Sequence, residues 1–172
     1  KTAYEIVSRD WSSDVCSSDL VFPRMTDLRE LYQEVILDHS RHPRNFGACP
    51  HCNRDAKGHN PLCGDRITVA LDVAGETIKD AHFEGQGCAI SMASASLMTD
   101  MVKGKTVAEA RQLFEQFHTL VTGGDVAEGT DLDKLEVLAG VRDYPVRVKC
   151  ATLAWHTLVA ALDNTHVPVA TE

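Results

Sequence analysis

Along this chain the apolar positions change period several times, and each change marks an element. Leu28, Leu31, Tyr32, Val35 and Ile36 recur at helical spacing behind Asp27 and Glu30, a capping-box-like start, and Pro43 closes the run. The face predicts an amphipathic helix that packs on the core or docks a partner. A polar, glycine-containing stretch follows. Ile67, Val69, Leu71 and Val73 then alternate with polar or small residues, the period of a half-buried strand. The turn signal Ala74-Gly75-Glu76, with Thr77 to Phe83 beyond it, predicts a hairpin. From Ala89 to Lys103 the period is again helical, with Ile90, Ala93, Leu97 and Met101 along one side and Gly104 as the stop. The small residues Ala93, Ser94, Ala95 and Ser96 permit close packing there. Thr106-x-x-Glu109 is a capping box for the next helix, whose Val107, Ala110, Leu113, Phe114, Phe117 and Val121 turn inward until Gly123-Gly124. The acidic segment Asp125 to Asp143 carries a short helical pattern in Leu132, Leu135 and Leu138, and Val146 to Asp163 predicts a closing helix. The sum is an α+β fold, a small antiparallel sheet of about three strands packed against several helices.

With 172 residues, 44% of them hydrophobic, the chain suits one domain, expected over 25–165 with a C-terminal tail at 166–172. The first 24 residues differ from the rest. Their Ser/Asp-rich stretch from Trp11 to Leu20 has neither helical nor strand period, lacks the apolar centre of a signal peptide, and is too acidic for a transit peptide. It resembles translated read-through of a sequencing adapter, which makes Met25 the expected native start; a disordered extension is the alternative.

Charge narrows the function. A net charge of −8 argues against binding to a phosphate backbone, so no nucleic-acid partner is expected. No apolar run is long enough to span a bilayer. Six cysteines can make three disulfides, but there is no secretory leader, and cysteines at turns and helix starts resemble ligands. A cytoplasmic, reducing setting is therefore expected.

Candidate chemistry rests on Cys63, Cys88 and Cys150, each in its own local setting, with Asp65 two residues beyond Cys63. Three thiolates and a carboxylate can fill the tetrahedral shell of a zinc ion. Cys88 and Cys150 are expected in the first turns of helices, where free N–H groups and the dipole favour thiolate. Cys63 is expected in a movable Pro/Gly-flanked loop. Four negative charges against two on zinc call for nearby cations, and Arg147, Lys149 and Arg66 are the candidates. The cysteines are far apart and form no Cys-x-x-Cys knuckle pair, so spacing alone leaves a shared metal site and buried structural cysteines both open.

The segments Asn60-Pro61-Leu62-Cys63-Gly64-Asp65-Arg66, Gly87-Cys88-Ala89-Ile90-Ser91-Met92-Ala93-Ser94-Ala95-Ser96 and Val146-Arg147-Val148-Lys149-Cys150-Ala151-Thr152-Leu153-Ala154-Trp155 resemble the three motifs of the IscU/SufU family of iron–sulfur cluster assembly proteins. The resemblance spans Met25 to Asp163. IscU-like scaffolds carry His directly before the third cysteine and a Pro-Pro motif ahead of it; here Lys149 and Asp143-Tyr144-Pro145-Val146 stand there. The acidic insert is similar to that of the SufU-like branch. The resemblance thus implies a zinc-dependent sulfurtransferase working with a SufS-like cysteine desulfurase and downstream cluster-assembly proteins. It further implies that Cys63, Asp65, Cys88 and Cys150 hold Zn2+, that a partner histidine replaces Cys63, and that the freed Cys63 takes persulfide sulfur. A scaffold that carries an iron–sulfur cluster is the alternative, and a binding module stapled by zinc is the third reading.

Other features point to less. Cys49-Pro50-His51-Cys52 looks like half of a zinc knuckle or a redox pair, yet lacks a second half, and is read mainly as a variable surface loop. Close to Cys63 in sequence, it can interfere there by forming disulfides on oxidation. His59 is expected as a solvated loop residue, His82 and His156 as packing or surface residues, and Trp155 as a core or interface anchor. The acids Asp125, Glu128, Asp131 and Asp133 are a solvated face that can steer a basic partner.

Overall fold

A computed structural model describes residues 25–125, 132–165 and 167–171. The expected extension at 1–24, and Glu128 and Asp131 of the acidic face, lie outside the described residues. Helix α1, Met25–Arg41, ends two residues before Pro43. Asp27 lies inside it instead of capping it. Three antiparallel strands follow: β1 (Arg54–Asn60), β2 (Asp65–Ala74) and β3 (Thr77–Gln86). Then come α2 (Ala89–Val102), α3 (Val107–Thr122), a 3-10 segment over Asp133–Asp143, and α4 (Pro145–Leu162). A two-residue strand β4, Val169–Ala170, pairs parallel to β1, so the sheet is mixed, in the order β3-β2-β1-β4. The expected three antiparallel strands are present. The expected tail adds a fourth, parallel one.

One sheet face is apolar. Ile67, Val69, Leu71, Val73, Ile78, Ala81 and Phe83 point inward from β2 and β3, and α2 and α4 cover them. The expected hairpin is present, and β3 runs three residues past Phe83. Helix α2 departs from a one-sided pattern. Ser91, Ala93 to Thr99 and Val102 are all buried, because the helix sits between α1, α4 and the sheet. Small side chains allow that depth: Ser94 Oγ donates to Ala151 O at 2.6 Å and accepts from Trp155 Nε1 at 3.2 Å, tying α2 to α4. Trp155 is fully buried and stacks on Phe114 and Phe117 of α3, as a core anchor should.

Local signals elsewhere behave as expected. The Thr106–Glu109 capping box is complete, Gly123 ends α3, and Leu132, Leu135 and Leu138 are buried. Helix α1 is shallower than its pattern implies. Tyr32, Val35 and Ile36 are half-buried, Leu31 and Leu37 are exposed, and among the residues whose side chains are described, from 29 on, His39 is the one that reaches the interior, with Nδ1 2.8 Å from Ser96 Oγ.

Candidate metal centre

Three stretches of backbone converge at one end of the sheet. The turn from β1 to β2 carries Cys63 and leads into Asp65, β3 ends just before Cys88, and α4 brings Cys150 from above. Gly64 occupies the left-handed region at φ +74°, and its N–H donates to Asn60 O at 2.8 Å, which folds the turn tightly under Cys63. Pro61, Leu62 and Gly64 are exposed around a half-buried Cys63.

Asp65 is the first residue of β2, and its carboxylate is buried. Its Oδ1 accepts the Cys88 N–H at 2.9 Å, and Oδ2 lies 3.9 Å from Cys88 Sγ. Cys88 caps the N-terminus of α2, as its sequence setting implies. The ligand atoms of Cys63, Asp65 and Cys150 all lie within 4.8 Å of one another, with Cys63 Sγ 3.1 Å from Cys150 Sγ. These three cysteines are free thiols.

Cys150 corrects one expectation. It lies in the second turn of α4, past the N–H groups that a first-turn cysteine would meet. Burial there pushes its thiol pKa well up, and hydrogen bonding with Cys63 and Asp65 pushes in the same direction. Asn60, buried at the end of β1, was given no role by sequence reasoning. Its Nδ2 donates to Cys150 Sγ at 3.6 Å while its Oδ1 accepts the Leu62 N–H at 3.0 Å, so one side chain spans the cysteine turn and α4. Its place in an Asn-Pro turn start was the available signal.

The three expected cations separate. Arg147 adjoins the sulfurs, and the charges of Cys88 and then Cys150 raise its pKa. Arg66 follows Asp65 on β2, and strand alternation turns its exposed side chain to the open face, in a cleft with Lys57, His59 and Glu84. Lys149 lines a different cleft, with His118, Thr152 and Thr171. Of the three, Arg147 is the one beside the sulfurs.

The histidines fall elsewhere. His59 is an exposed residue of strand β1, not of a loop, and His156 is half-buried with its ring edge-on to Phe114. His82 is also half-buried, with Nε2 3.1 Å from Asp80 Oδ2. Cys49 and Cys52 are joined to each other in a disulfide, the bond of a redox pair. Their loop precedes Arg54, whereas Cys63 follows Asn60, so the whole of β1 stands between them. Seven extended residues span about 23 Å, which rules out the expected interference with Cys63 within this fold.

The site suits a divalent cation. Among the described residues Asp65 makes no ion pair, and its buried carboxylate with the sulfurs of Cys63 and Cys150 is a donor set for zinc; Cys88 Sγ lies outside that group of three, 3.9 Å from Asp65 Oδ2. No helix is long and apolar enough to cross a membrane among the described residues.

Comparison with known proteins matches this arrangement to a family. The model of the NifU-like N-terminal domain matches residues 31–151. The zinc-dependent sulfurtransferase SufU of Bacillus subtilis is 42% identical over 132 residues, covering 77% of this chain and 89% of its own. The iron–sulfur cluster assembly scaffold protein IscU of Thermotoga maritima is 39% identical over 138 residues, covering 80% and 96%. Among solved structures, an assembly scaffold assigned to the SUF system of Fervidobacterium islandicum AW-1 superposes with a TM-score of 0.72 at 35% identity, covering 78% of this chain and 98% of that one. The chain belongs to the NifU-like N-terminal domain family, the IscU/SufU proteins of iron–sulfur cluster assembly.

Proposed function

We propose that this chain is a sulfur acceptor in iron–sulfur cluster assembly, taking persulfide sulfur from a SufS-like cysteine desulfurase onto Cys63 and passing it to downstream cluster-assembly proteins. The observation that carries the reading is the unequal exposure of the ligands. Cys63 rides on an exposed turn, while Asp65 and Cys150 beneath it are buried. Cys88 is half-buried like Cys63, so two sulfurs are accessible; Cys63 is the one carried on the exposed turn, and it can meet a partner while Asp65 and Cys150 stay in place.

Cys63, Asp65, Cys88 and Cys150 would hold zinc, which when bound keeps cysteine sulfur deprotonated at neutral pH. The Cys63 thiolate attacks the outer sulfur of the partner's persulfide. A new S–S bond forms on Cys63, the old one breaks, and the partner's cysteine leaves as thiolate, so no net oxidation occurs. Arg147 supports the negative charge of the sulfurs around it. Asn60 holds the turn against α4 so that Cys63 is presented in one orientation.

Lys149 in the place of the scaffold-type histidine, together with the sulfurtransferase relative, supports transfer over assembly. The scaffold reading draws on the IscU relatives, and the same thiolates accept iron. Incubation with a persulfidated desulfurase followed by peptide mass spectrometry separates the two. The sulfurtransferase reading expects one added sulfur atom on the Cys63 peptide and none in Cys63→Ser. A sulfur adduct absent from Cys63 contradicts it.

A further inference from the structure

A second set of soft and borderline donors lies at the opposite end of β1. Cys49 and Cys52 bracket a tight turn in which the Cys52 N–H donates to Cys49 O at 3.2 Å. Cys49 Sγ is 3.6 Å from His51 Nε2, and the ligand atoms of Cys49, His51 and Cys52 lie within 4.8 Å of one another. His51 Nε2 is in turn 3.1 Å from Oδ2 of Asp80, a residue of β3. His82 Nε2 meets the same oxygen at 3.1 Å, and Lys103 Nζ and the Ala81 N–H hold Oδ1 at 2.5 and 2.9 Å. Asp80 is thus fixed from the far side while its Oδ2 faces the cysteine loop.

These spacings are those of a metal shell. Bonds of about 2.3 Å to sulfur and about 2.0–2.1 Å to nitrogen or oxygen, at tetrahedral angles, put S and N about 3.6 Å apart and N and O about 3.3 Å apart. The Cys49–His51 and His51–Asp80 distances match both edges. The sulfur pair, bonded as a disulfide, is too close for a metal.

We propose that Cys49, His51, Cys52 and Asp80 form a second zinc-type site that opens only when the Cys49–Cys52 disulfide is reduced. His82 and Lys103 are positioning residues that orient the Asp80 carboxylate. Reduction needs a dithiol: its two sulfurs leave as a disulfide, the Cys49–Cys52 bond breaks, and two thiols form with the two electrons and two protons transferred. Zinc then displaces the thiol protons to solvent; exchange with a disulfide oxidant, which takes the two electrons and leaves as two thiols, re-forms the Cys49–Cys52 bond and expels the ion. With a strand's length between them, this site and the Cys63 centre load independently. The proposal therefore does not rest on the sulfurtransferase reading.

The test is the zinc content of the full chain against a Cys49→Ser/Cys52→Ser variant. Both are reduced by a dithiol, freed of it without air, equilibrated with zinc and desalted. Reduced wild type is expected to retain one more ion than the variant, and the difference is expected to vanish after disulfide oxidation. Because the count is a difference, it holds whatever fills the Cys63 centre. Cobalt as probe is expected to give thiolate charge-transfer absorption that the variant lacks, and Asp80→Asn is expected to weaken the extra ion by tenfold or more. Equal zinc contents in reduced wild type and variant, with matching circular dichroism, would overturn the proposal, as would an extra ion that survives oxidation.

Discussion

The amide of Cys88 points into the carboxylate of Asp65 at 2.9 Å, so the N-terminus of α2 and the first residue of β2 are locked together at the candidate metal centre. This contact fixes one oxygen of Asp65. Asp65→Ala removes both an oxygen ligand and the partner of that N–H. Zinc affinity is expected to fall by at least the roughly 10- to 100-fold that loss of even an outer partner costs. Competition with a chromogenic chelator reads this directly, and unchanged affinity would remove Asp65 from the ligand set.

Asn60 makes a separable contribution. Its buried amide serves the Leu62 N–H and the Cys150 sulfur together. Asn60→Ala deletes both hydrogen bonds, each worth about 0.5–1.5 kcal/mol, and is expected to lower stability by about 1–3 kcal/mol. Urea denaturation of the zinc-loaded protein measures it, and sulfur acceptance by Cys63 should slow in the same variant.

Strand β1 shows why part of the fold was hidden in the sequence. Its inward positions are Ala56, Gly58 and Asn60, so no hydrophobic alternation announces it. The reason is packing: a Cβ on Gly58 would stand 2.1 Å from Thr157 Oγ1 and 3.1 Å from Leu153 Cδ1, so α4 lies directly on the strand. Gly58→Ala is expected to cost about 1–3 kcal/mol by overpacking. Thr157→Ala in the same chain should recover part of that loss, and a double-mutant cycle without coupling would contradict the contact.

Acid should destabilise the protein through the buried imidazole of His39 and the half-buried one of His156. Burial, then the charge of Arg44, lowers the pKa of His39 from its ordinary 6.5; burial, then His118, lowers that of His156. Below 6.5 the unfolded chain therefore binds protons that the folded one refuses. The stabilisation is full above 6.5 and is lost as pH falls toward the lower folded values. Denaturation midpoints between pH 5 and 8 should show this slope, and His39→Gln should flatten it.

Other elements were legible because a local rule determined them. The Thr106–Glu109 capping box, the Gly123 stop and the 67–73 alternation each act within a few residues, and each appears as expected. Of the four ligand candidates, Cys63, Asp65 and Cys150 come together in one group, an arrangement that sequence spacing does not report. Strand alternation sends Arg66 to the open face, and helix phase places Arg147 beside the sulfurs but Lys149 in another cleft. The Cys49–Cys52 bond and the β1–β4 pairing depend on where distant backbone comes to rest, which no local period reports.

The central claim is tested most directly by the turnover of a matching cysteine desulfurase in the presence of this protein, zinc-loaded and zinc-depleted, with Cys63→Ala alongside. Strong stimulation that requires both zinc and Cys63 is the predicted result. Equal turnover with all three preparations, or stimulation that survives in Cys63→Ala, would contradict the assignment of Cys63 as the sulfur acceptor.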